Sequence, residues 1–130
     1  MILGIGVDSV SIERAGKLSD AAVRRFFAPQ EVQEYFSLKD AHPEIRAQFL
    51  ASRFAVKEAY AKARGLGFAE DIVLSEICVV KDNAGCPFVK LSGKTAERAP
   101  KCRIHLSITH EAPLATAFVV LETEEDIGKV

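Results

Sequence analysis

The sequence is short of several features that mark specialised classes of protein. Positive charge is not in excess, since the 130 residues hold 17 lysines and arginines against 18 aspartates and glutamates, for a net charge of −1. A nearly neutral chain has no electrostatic basis for binding nucleic acid over a broad surface, so any basic surface is local. No internal repeat or low-complexity linker divides the chain, and its length suits one domain with one hydrophobic core.

Cysteine is scarce as well, and long apolar runs are missing. The three cysteines, Cys78, Cys86 and Cys102, are odd in number and have no C-x-x-C spacing, a pattern typical of reduced thiols in a cytoplasmic protein. The opening apolar run has no basic segment before it and stops at Asp8, so it is too short for a signal peptide or a membrane span. We therefore expect a cytoplasmic protein with one domain over residues 1–122 and an acidic tail over residues 123–130.

The N-terminal segment Met1–Asp8 is predicted to form a strand that ends in a carboxylate. Alternation places Gly4, Gly6 and Asp8 on one face and the larger apolar side chains on the other. Glycine weakens a strand, so two on one face indicate that a helix, a backbone or a ligand comes close there. A carboxylate at the rim of such a contact needs a cation, a metal or a helix N-terminus beside it. The alternative is that Asp8 simply caps the next segment.

The longest predicted helix, over residues 44–64, carries charges at a suggestive spacing. Glu58 and Lys62 are four residues apart, so both project from one helix face, together with Arg53 and Lys57. A carboxylate and an ammonium group could reach one point, the first for a metal and the second for a phosphate oxygen. The same spacing also suits an ordinary surface ion pair worth about 0.2–0.5 kcal/mol. Residues 65–67 supply the C-terminal stop of this helix.

The remaining segments predict clusters of helices and strands. Short helices are expected at residues 11–19, 29–36 and 92–99, a hairpin at 72–80 and 88–91, and a second hairpin at 102–109 and 114–122 that turns at residues 110–113. Because strands and helices do not alternate regularly, we expect an α+β fold with a mainly antiparallel sheet.

The last hairpin presents a row of polar side chains. Alternation places Arg103, His105, Ser107 and Thr109 on one face of its first strand. Such donors suit a phosphate, although half-buried strands often show polar residues to water without any function. His105 and His110 are five residues apart and so point to opposite faces, which argues against their holding one metal together.

Five segments in order resemble the holo-acyl-carrier-protein synthases, the small bacterial type of 4'-phosphopantetheinyl transferase. They are Gly4–Asp8, Ile12–Arg14, Arg53–Ala59, Asn83–Pro87 and His105–His110. The resemblance spans about residues 1–122. It implies transfer of the phosphopantetheine arm of coenzyme A to a serine of an apo acyl carrier protein, with release of adenosine 3',5'-bisphosphate, for fatty acid biosynthesis.

The resemblance also implies roles for individual residues. Asp8 and Glu58 are the expected magnesium ligands, and Glu58 and Lys62 the expected catalytic residues. The base is left open between Glu58 acting through a water and a hydroxide bound to the metal. The expected contacts to coenzyme A come from Arg53, Lys62, Asn83, Gly85, Pro87, His105 and Thr109. Cys86 departs from the family pattern, because a basic residue is common before Pro87, whereas Thr109 replaces a frequent serine and keeps the hydroxyl.

The expected partners are an acidic acyl carrier protein and further copies of the chain. Basic residues near the N-terminus, Arg14, Lys17, Arg24 and Arg25, are the expected dock for the carrier protein, although each could equally be a solvated charge. Members of the family resemble homotrimers with sites between subunits. Two other functions use parts of the same residue set. A magnesium-dependent phosphohydrolase would need no acceptor protein, and a non-catalytic nucleotide-binding module would not need Asp8 with Glu58.

Overall fold

The computed structural model describes residues 1–65 and 71–124. The strands are β1 (Ile2–Ser11), β2 (Ile77–Lys81), β3 (Pro87–Leu91), β4 (Cys102–Glu111) and β5 (Leu114–Thr123), and the helices are α1 (Ile12–Gly16), α2 (Asp20–Phe26), α3 (Pro29–Ser37), α4 (Pro43–Arg64) and α5 (Gly93–Glu97). Strands β1, β5 and β4 form one antiparallel sheet in that order, and β2 and β3 form a separate antiparallel hairpin. The prediction of an α+β fold with mainly antiparallel sheet is confirmed.

Strand β1 is longer than predicted, and this changes the role of Asp8. The strand runs to Ser11, with Asp8 paired opposite Ala117 of β5. The cap of α1 is Ser11, whose side chain accepts a hydrogen bond from the Arg14 amide. Asp8 is therefore not a helix cap, and the alternative that assigned it this role is wrong.

The long helix α4 lies directly on the glycine face of β1. A Cβ atom added at Gly4 would stand 1.9 Å from the carbonyl oxygen of Ala63, and one added at Gly6 would stand 2.0 Å from that of Ala59. The close approach that the two glycines predict is thus made by the backbone of a helix. The inner face of β5 also carries small or aliphatic residues, and Ala117, Val119 and Leu121 are fully buried beneath the helix.

The other face of this sheet is open. Leu3, Ile5 and Val7 of β1 are 45%, 61% and 51% exposed, and Phe118 of β5 is 43% exposed. The register continues this surface onto β4, where Ser107 stands opposite Phe118 and His105 opposite Val120. We call this surface the outer face, formed by Leu3, Ile5, Val7, Phe118 and Val120 with the polar residues Arg103, His105, Ser107 and Thr109.

Helix α4 is capped at both ends. The His42 ring accepts a hydrogen bond from the Glu44 amide, Pro43 occupies the first turn, and Gly65 ends the helix with φ of +73°. One face of the helix is apolar and buried, as at Val56 and Tyr60, but Lys57, which was predicted to stand on the charged face with Glu58 and Lys62, is fully buried too. That assignment is wrong, because Lys57 points into the protein and pairs there with Glu31. Gly67, part of the predicted stop, lies outside the described residues.

Several predicted boundaries also differ from the structure. Helix α2 was not predicted, since only Val23 is fully buried and seven residues give little periodicity. The predicted strand over 72–80 begins instead with a single 3₁₀ turn at Leu74–Glu76. The second hairpin turns over two residues, because pairing continues through Glu111 and resumes at Leu114.

The tail was expected over residues 123–130, but Thr123 belongs to β5, and residues 125–130 lie outside the described residues. Among the helices described, none is long and apolar enough to cross a membrane.

Candidate active site

The close contact of α4 with β1 brings three predicted residues together. Asp8 follows Gly6 on the face that α4 covers, and Glu58 and Lys62 stand on successive turns of the helix beside it. The Nζ atom of Lys62 donates to Asp8 Oδ1 at 2.7 Å and to the Val7 carbonyl oxygen at 3.0 Å. The cation that Asp8 needs is therefore Lys62, which forms an ion pair with it across the two elements.

The two carboxyl groups of this cluster interact unfavourably when both are ionised. The Oδ2 atom of Asp8 is buried and has no hydrogen-bond partner among the residues that the structure describes, because a neighbouring carboxylate has no proton to donate. Burial raises the pKa of Glu58 to about 7, and a hydrogen bond to Asp8 together with the Asp8 charge adds to that rise, while Lys62 opposes it. A proton on Glu58 supplies the donor that Asp8 otherwise lacks.

These features fit a divalent cation. Magnesium is bound in proteins through one or two carboxylates, with waters and substrate phosphates as its other ligands. An orphaned buried carboxylate oxygen beside a second carboxyl group is such an arrangement, and a cation there would replace the shared proton. A cage of three or more metal-ligating side chains does not occur in the part of the chain that the structure describes. The two carboxyl groups of Asp8 and Glu58 are thus suited to a metal ion that takes its remaining ligands from a bound phosphate group.

A cavity of about 520 Å³ lies elsewhere on α4, beside Arg53. Its walls come from α3, α4, the β2–β3 hairpin and the end of β4, and they are formed by Glu34, Ser37, Leu38, Ile45, Gln48, Phe49, Ser52, Arg53, Lys81, Gly85, Pro87, Ile108 and His110. The volume is that of a site for a small molecule of nucleotide size. Asp8 and Glu58 do not border this cavity.

Arg53 is held in place within this cavity and keeps a free donor. Its guanidinium group lies over the Phe49 ring, 4.2 Å from the ring centre, and donates to Ser52 Oγ at 3.1 Å. The Nε atom is buried and meets no hydrogen-bond partner within residues 1–65 and 71–124. Burial also lowers the pKa of Arg53 from its ordinary value, an effect that Glu34 and Glu31 oppose. An anion in the cavity would offset the desolvated charge of the guanidinium group.

The predicted contacts to coenzyme A fall into two groups. Gly85 and Pro87 line the same cavity as Arg53, whereas Asn83 occupies the exposed turn beside them. His105 and Thr109 lie on the outer face of the sheet, where the His105 ring is 3.0 Å from Glu122 Oε1 and Thr109 stands opposite Thr116. Within one chain the fold therefore does not bring His105 and Thr109 to the side of the sheet that carries Asp8 and Glu58.

Sequence reasoning missed most of the residues that line the cavity, and two of these, His110 and Lys81, are basic. The side chains of His110 and Lys81 line the same cavity as Arg53. The alternation along β4 did place His110 on the face opposite to His105, so that signal was available. No local pattern marks Lys81, because its position depends on how the β2–β3 hairpin packs against α4.

A second cavity, of about 340 Å³, contains Glu58 itself. Arg14 of α1 borders it with Glu58, and apolar walls come from Val10, Ala15, Leu18 and Phe54. Arg24 and Arg25, in the last turn of α2, are exposed and lie over the rings of Phe36 and Phe26 at 4.5 Å and 5.3 Å. Among the residues predicted to dock a carrier protein, Arg14 thus lines the same cavity as Glu58.

Comparison with known proteins finds relatives that match almost the whole chain. A family model described as the 4'-phosphopantetheinyl transferase superfamily matches residues 4–119. The holo-[acyl-carrier-protein] synthase of Geobacillus sp. (strain WCH70) is 38% identical over 125 residues, covering 94% of this chain and 98% of that protein.

Solved structures give the same result. The holo-(acyl-carrier-protein) synthase of Bacillus anthracis str. Ames, in complex with CoA (3',5'-ADP), has a TM-score of 0.81 and 35% identity, covering 95% of this chain and 99% of that one. The enzyme from Neisseria meningitidis has a TM-score of 0.82 and 33% identity, covering 95% and 100%. The chain belongs to the 4'-phosphopantetheinyl transferase superfamily, within the holo-acyl-carrier-protein synthases.

Proposed function

We propose that the chain is a magnesium-dependent holo-acyl-carrier-protein synthase whose reaction centre is the cluster of Asp8, Glu58 and Lys62. It transfers the 4'-phosphopantetheine group of coenzyme A to a serine of an apo acyl carrier protein, in support of fatty acid biosynthesis. The observation that carries the placement of the centre is the orphaned, buried Oδ2 atom of Asp8 beside the Glu58 carboxyl group. Membership of the family supports the reaction itself.

Asp8 and Glu58 are the residues that would hold the magnesium ion. When bound, the ion supplies positive charge to the pyrophosphate oxygens of coenzyme A and holds them in position. Lys62 has a complementary part, because its exposed ammonium group already lies 2.7 Å from Asp8 and can turn toward a phosphate. Its pKa is raised above the ordinary value, chiefly by the hydrogen bond to Asp8, so Lys62 remains charged at neutral pH.

Glu58 is the residue that we assign to the proton of the acceptor serine. In the reaction the serine oxygen forms a bond to the β-phosphorus, the bond between that phosphorus and the bridging pyrophosphate oxygen breaks, and adenosine 3',5'-bisphosphate leaves. The serine proton goes to the Glu58 carboxylate, directly or through a water. Glu58 borders the cavity that also contains Arg14, which supports entry of the carrier protein from that side.

The cavity beside Arg53 is the proposed site for the nucleotide end of coenzyme A. The basic side chains of Arg53, Lys81 and His110 line it together with the carboxyl group of Glu34, and the desolvated guanidinium charge of Arg53 favours an anion there. Gly85 of the β2–β3 turn and Pro87 at the start of β3 also line the cavity. Asn83, His105 and Thr109 stay predicted contacts, and for the last two a ligand would have to reach the outer face.

A homotrimer would join the separated parts of the site. The outer face exposes Leu3, Ile5, Val7 and Phe118, a contiguous apolar surface that single domains rarely leave in water. A second copy seated there could bring its own Asp8–Glu58 cluster to His105 and Thr109 of the first. His105 and Thr109 would then lie at a subunit boundary rather than on an open surface.

The acidic acyl carrier protein is proposed to dock on the N-terminal helices. Arg14, Arg24 and Arg25 are exposed, and the stacking of Arg24 and Arg25 on phenylalanine rings holds their charges at the surface. Charge of this kind guides an acidic partner and sets its orientation more than it adds affinity.

The direct test is to follow the intact mass of an apo acyl carrier protein with coenzyme A and magnesium, with and without a chelator. A magnesium-dependent gain of one phosphopantetheine group is expected, and Glu58→Gln should abolish it. Glu97→Gln, an exposed change on α5, is the matched control and should leave the rate unchanged. Hydrolysis of coenzyme A without any mass gain would indicate a phosphohydrolase, and binding without either reaction would indicate a nucleotide-binding module.

A further inference from the structure

A buried ion pair lies behind the cavity that contains Arg53. Lys57 of α4 and Glu31 of α3 are both fully buried, and their Nζ and Oε1 atoms are 2.6 Å apart. It is the one ion pair recorded for the described residues in which both side chains are inaccessible to solvent. Burying two charges costs more than their attraction returns unless further hydrogen bonds complete the site, so the surroundings of the pair decide what it does.

Those surroundings tie four elements to one point. Lys57 Nζ also donates to the carbonyl oxygens of Leu74, at 3.1 Å, and of Ile77, at the start of β2. Glu31 accepts from the Ala28 amide at the start of α3 and, through Oε2, from the Val79 amide of β2, both at 3.0 Å. Each ammonium hydrogen and both carboxylate oxygens thus have a partner, and every partner belongs to the backbone or to the pair itself.

The elements joined at this point form three walls of the cavity. Helix α3 contributes Glu34, helix α4 contributes Arg53 one turn before Lys57, and β2 leads directly to Lys81 and the turn that carries Gly85. Apolar packing holds these elements together but is not directional, whereas hydrogen bonds to particular backbone atoms set how far β2 stands along α4. The distance across the cavity between Arg53 and the hairpin residues therefore depends on the pair.

We propose that Glu31 and Lys57 are positioning residues that set the width of the nucleotide cavity, so that they govern the affinity for the adenosine bisphosphate end of coenzyme A without touching it. This proposal rests on the proposed function, which assigns that ligand to the cavity. A role in stability and a role in positioning predict different effects when the pair is replaced. A neutral pair of similar volume often preserves or increases stability, but it cannot bond to the carbonyl oxygens of Leu74 and Ile77.

The test uses the full chain with both charges removed at once, in the double variant Glu31→Gln/Lys57→Met. Calorimetric titration with adenosine 3',5'-bisphosphate should show a dissociation constant raised about tenfold, which corresponds to about 1.4 kcal/mol. The KM for coenzyme A should rise in parallel while kcat changes less than about twofold, the signature of lost binding without lost chemistry. Leu121→Ala, a core change beneath the other end of α4, is the control for lost stability and should keep the dissociation constant of the wild type.

Each outcome decides the matter. A folded double variant that binds the bisphosphate as tightly as the wild type overturns the positioning role. So does a Leu121→Ala variant with the same loss of affinity, because affinity would then follow stability alone. If the double variant does not fold, Glu31→Asp alone, which keeps both charges and shortens the reach of the carboxylate by one carbon, is measured in its place with the same expected direction. A wild-type protein that does not bind the bisphosphate at all overturns the proposed function, and the positioning role with it.

Discussion

Gly6 is the residue whose replacement should most directly separate the two carboxyl groups of the site. A Cβ atom at Gly6 would stand 2.0 Å from the Ala59 carbonyl oxygen and 2.7 Å from the Ala63 amide nitrogen. The first distance is about 1.4 Å short of the 3.4 Å at which ordinary contact begins. Both atoms belong to the backbone of α4 and cannot rotate away, so in Gly6→Ala the helix has to move away from the strand.

The losses of stability and of activity in Gly6→Ala follow from that displacement. Overpacking of this kind destabilises proteins by about 1–3 kcal/mol. Asp8 stands two residues beyond Gly6 on the same face, and Glu58 directly precedes Ala59, so a shift of about 1 Å widens their separation. Misplacement on this scale can lower catalysis about 100-fold. We therefore expect Gly6→Ala to unfold at lower denaturant and to lose about two orders of magnitude in kcat/KM at a temperature where it is fully folded.

Gly4→Ala is the matched control. Its added Cβ atom would stand 1.9 Å from the Ala63 carbonyl oxygen, so the clash is as severe, but it falls near the end of α4 and farther from Asp8. Denaturant titration should show similar losses of stability in the two variants, and the carrier-protein assay should show the larger loss of activity in Gly6→Ala. Wild-type stability in Gly6→Ala would refute the close approach, and equal activity losses would refute the link to the carboxylate pair.

Three further predictions concern the metal, the assembly and the carrier protein. Because the pKa of Glu58 is about 7, above the ordinary 4.5, metal-free protein should lose stability as pH rises through this range. Magnesium requires the ionised form of Glu58, which makes up about a tenth of the molecules at pH 6 and about nine tenths at pH 8. The dissociation constant for magnesium, measured by calorimetry, should therefore fall about tenfold from pH 6 to pH 8, and a constant value would contradict the assignment of Glu58 as a ligand. Ile5→Glu on the outer face should sediment as a monomer and lose activity, and an unchanged sedimentation coefficient would exclude this face as the interface. Arg14→Glu should raise the KM for the carrier protein but leave the KM for coenzyme A unchanged. The reverse pattern would indicate that Arg14 contacts the nucleotide instead of the carrier protein.

Much of the fold follows from local patterns in the sequence. The alternation of apolar and polar residues predicted the strands, and the stop at Gly65 predicted the end of α4. The pair of glycines in β1 predicted a close approach on the face that carries Asp8. Helix α2 escaped prediction because a helix of seven residues with one fully buried side chain has no clear period.

The candidate site was reached only in part. Asp8, Glu58 and Lys62 were predicted and lie together, but the partner of Lys62 is Asp8 across two elements rather than its helix neighbour. Lys57 was predicted to be a surface charge and is buried. Its partner Glu31 is 26 residues away, and no periodicity links two charges at that distance.

What the sequence determined by itself is therefore the set of elements, their buried faces and the residue types available for chemistry, because these depend on neighbours along the chain. The tertiary structure decided which of those residues meet. Packing of α4 on β1 selects Lys62 for Asp8, burial turns Lys57 from a solvated charge into a tie between elements, and the fold places His110 rather than His105 beside Arg53. These outcomes depend on contacts between distant segments, where distance and desolvation change the energy of a charge far more than sequence spacing does.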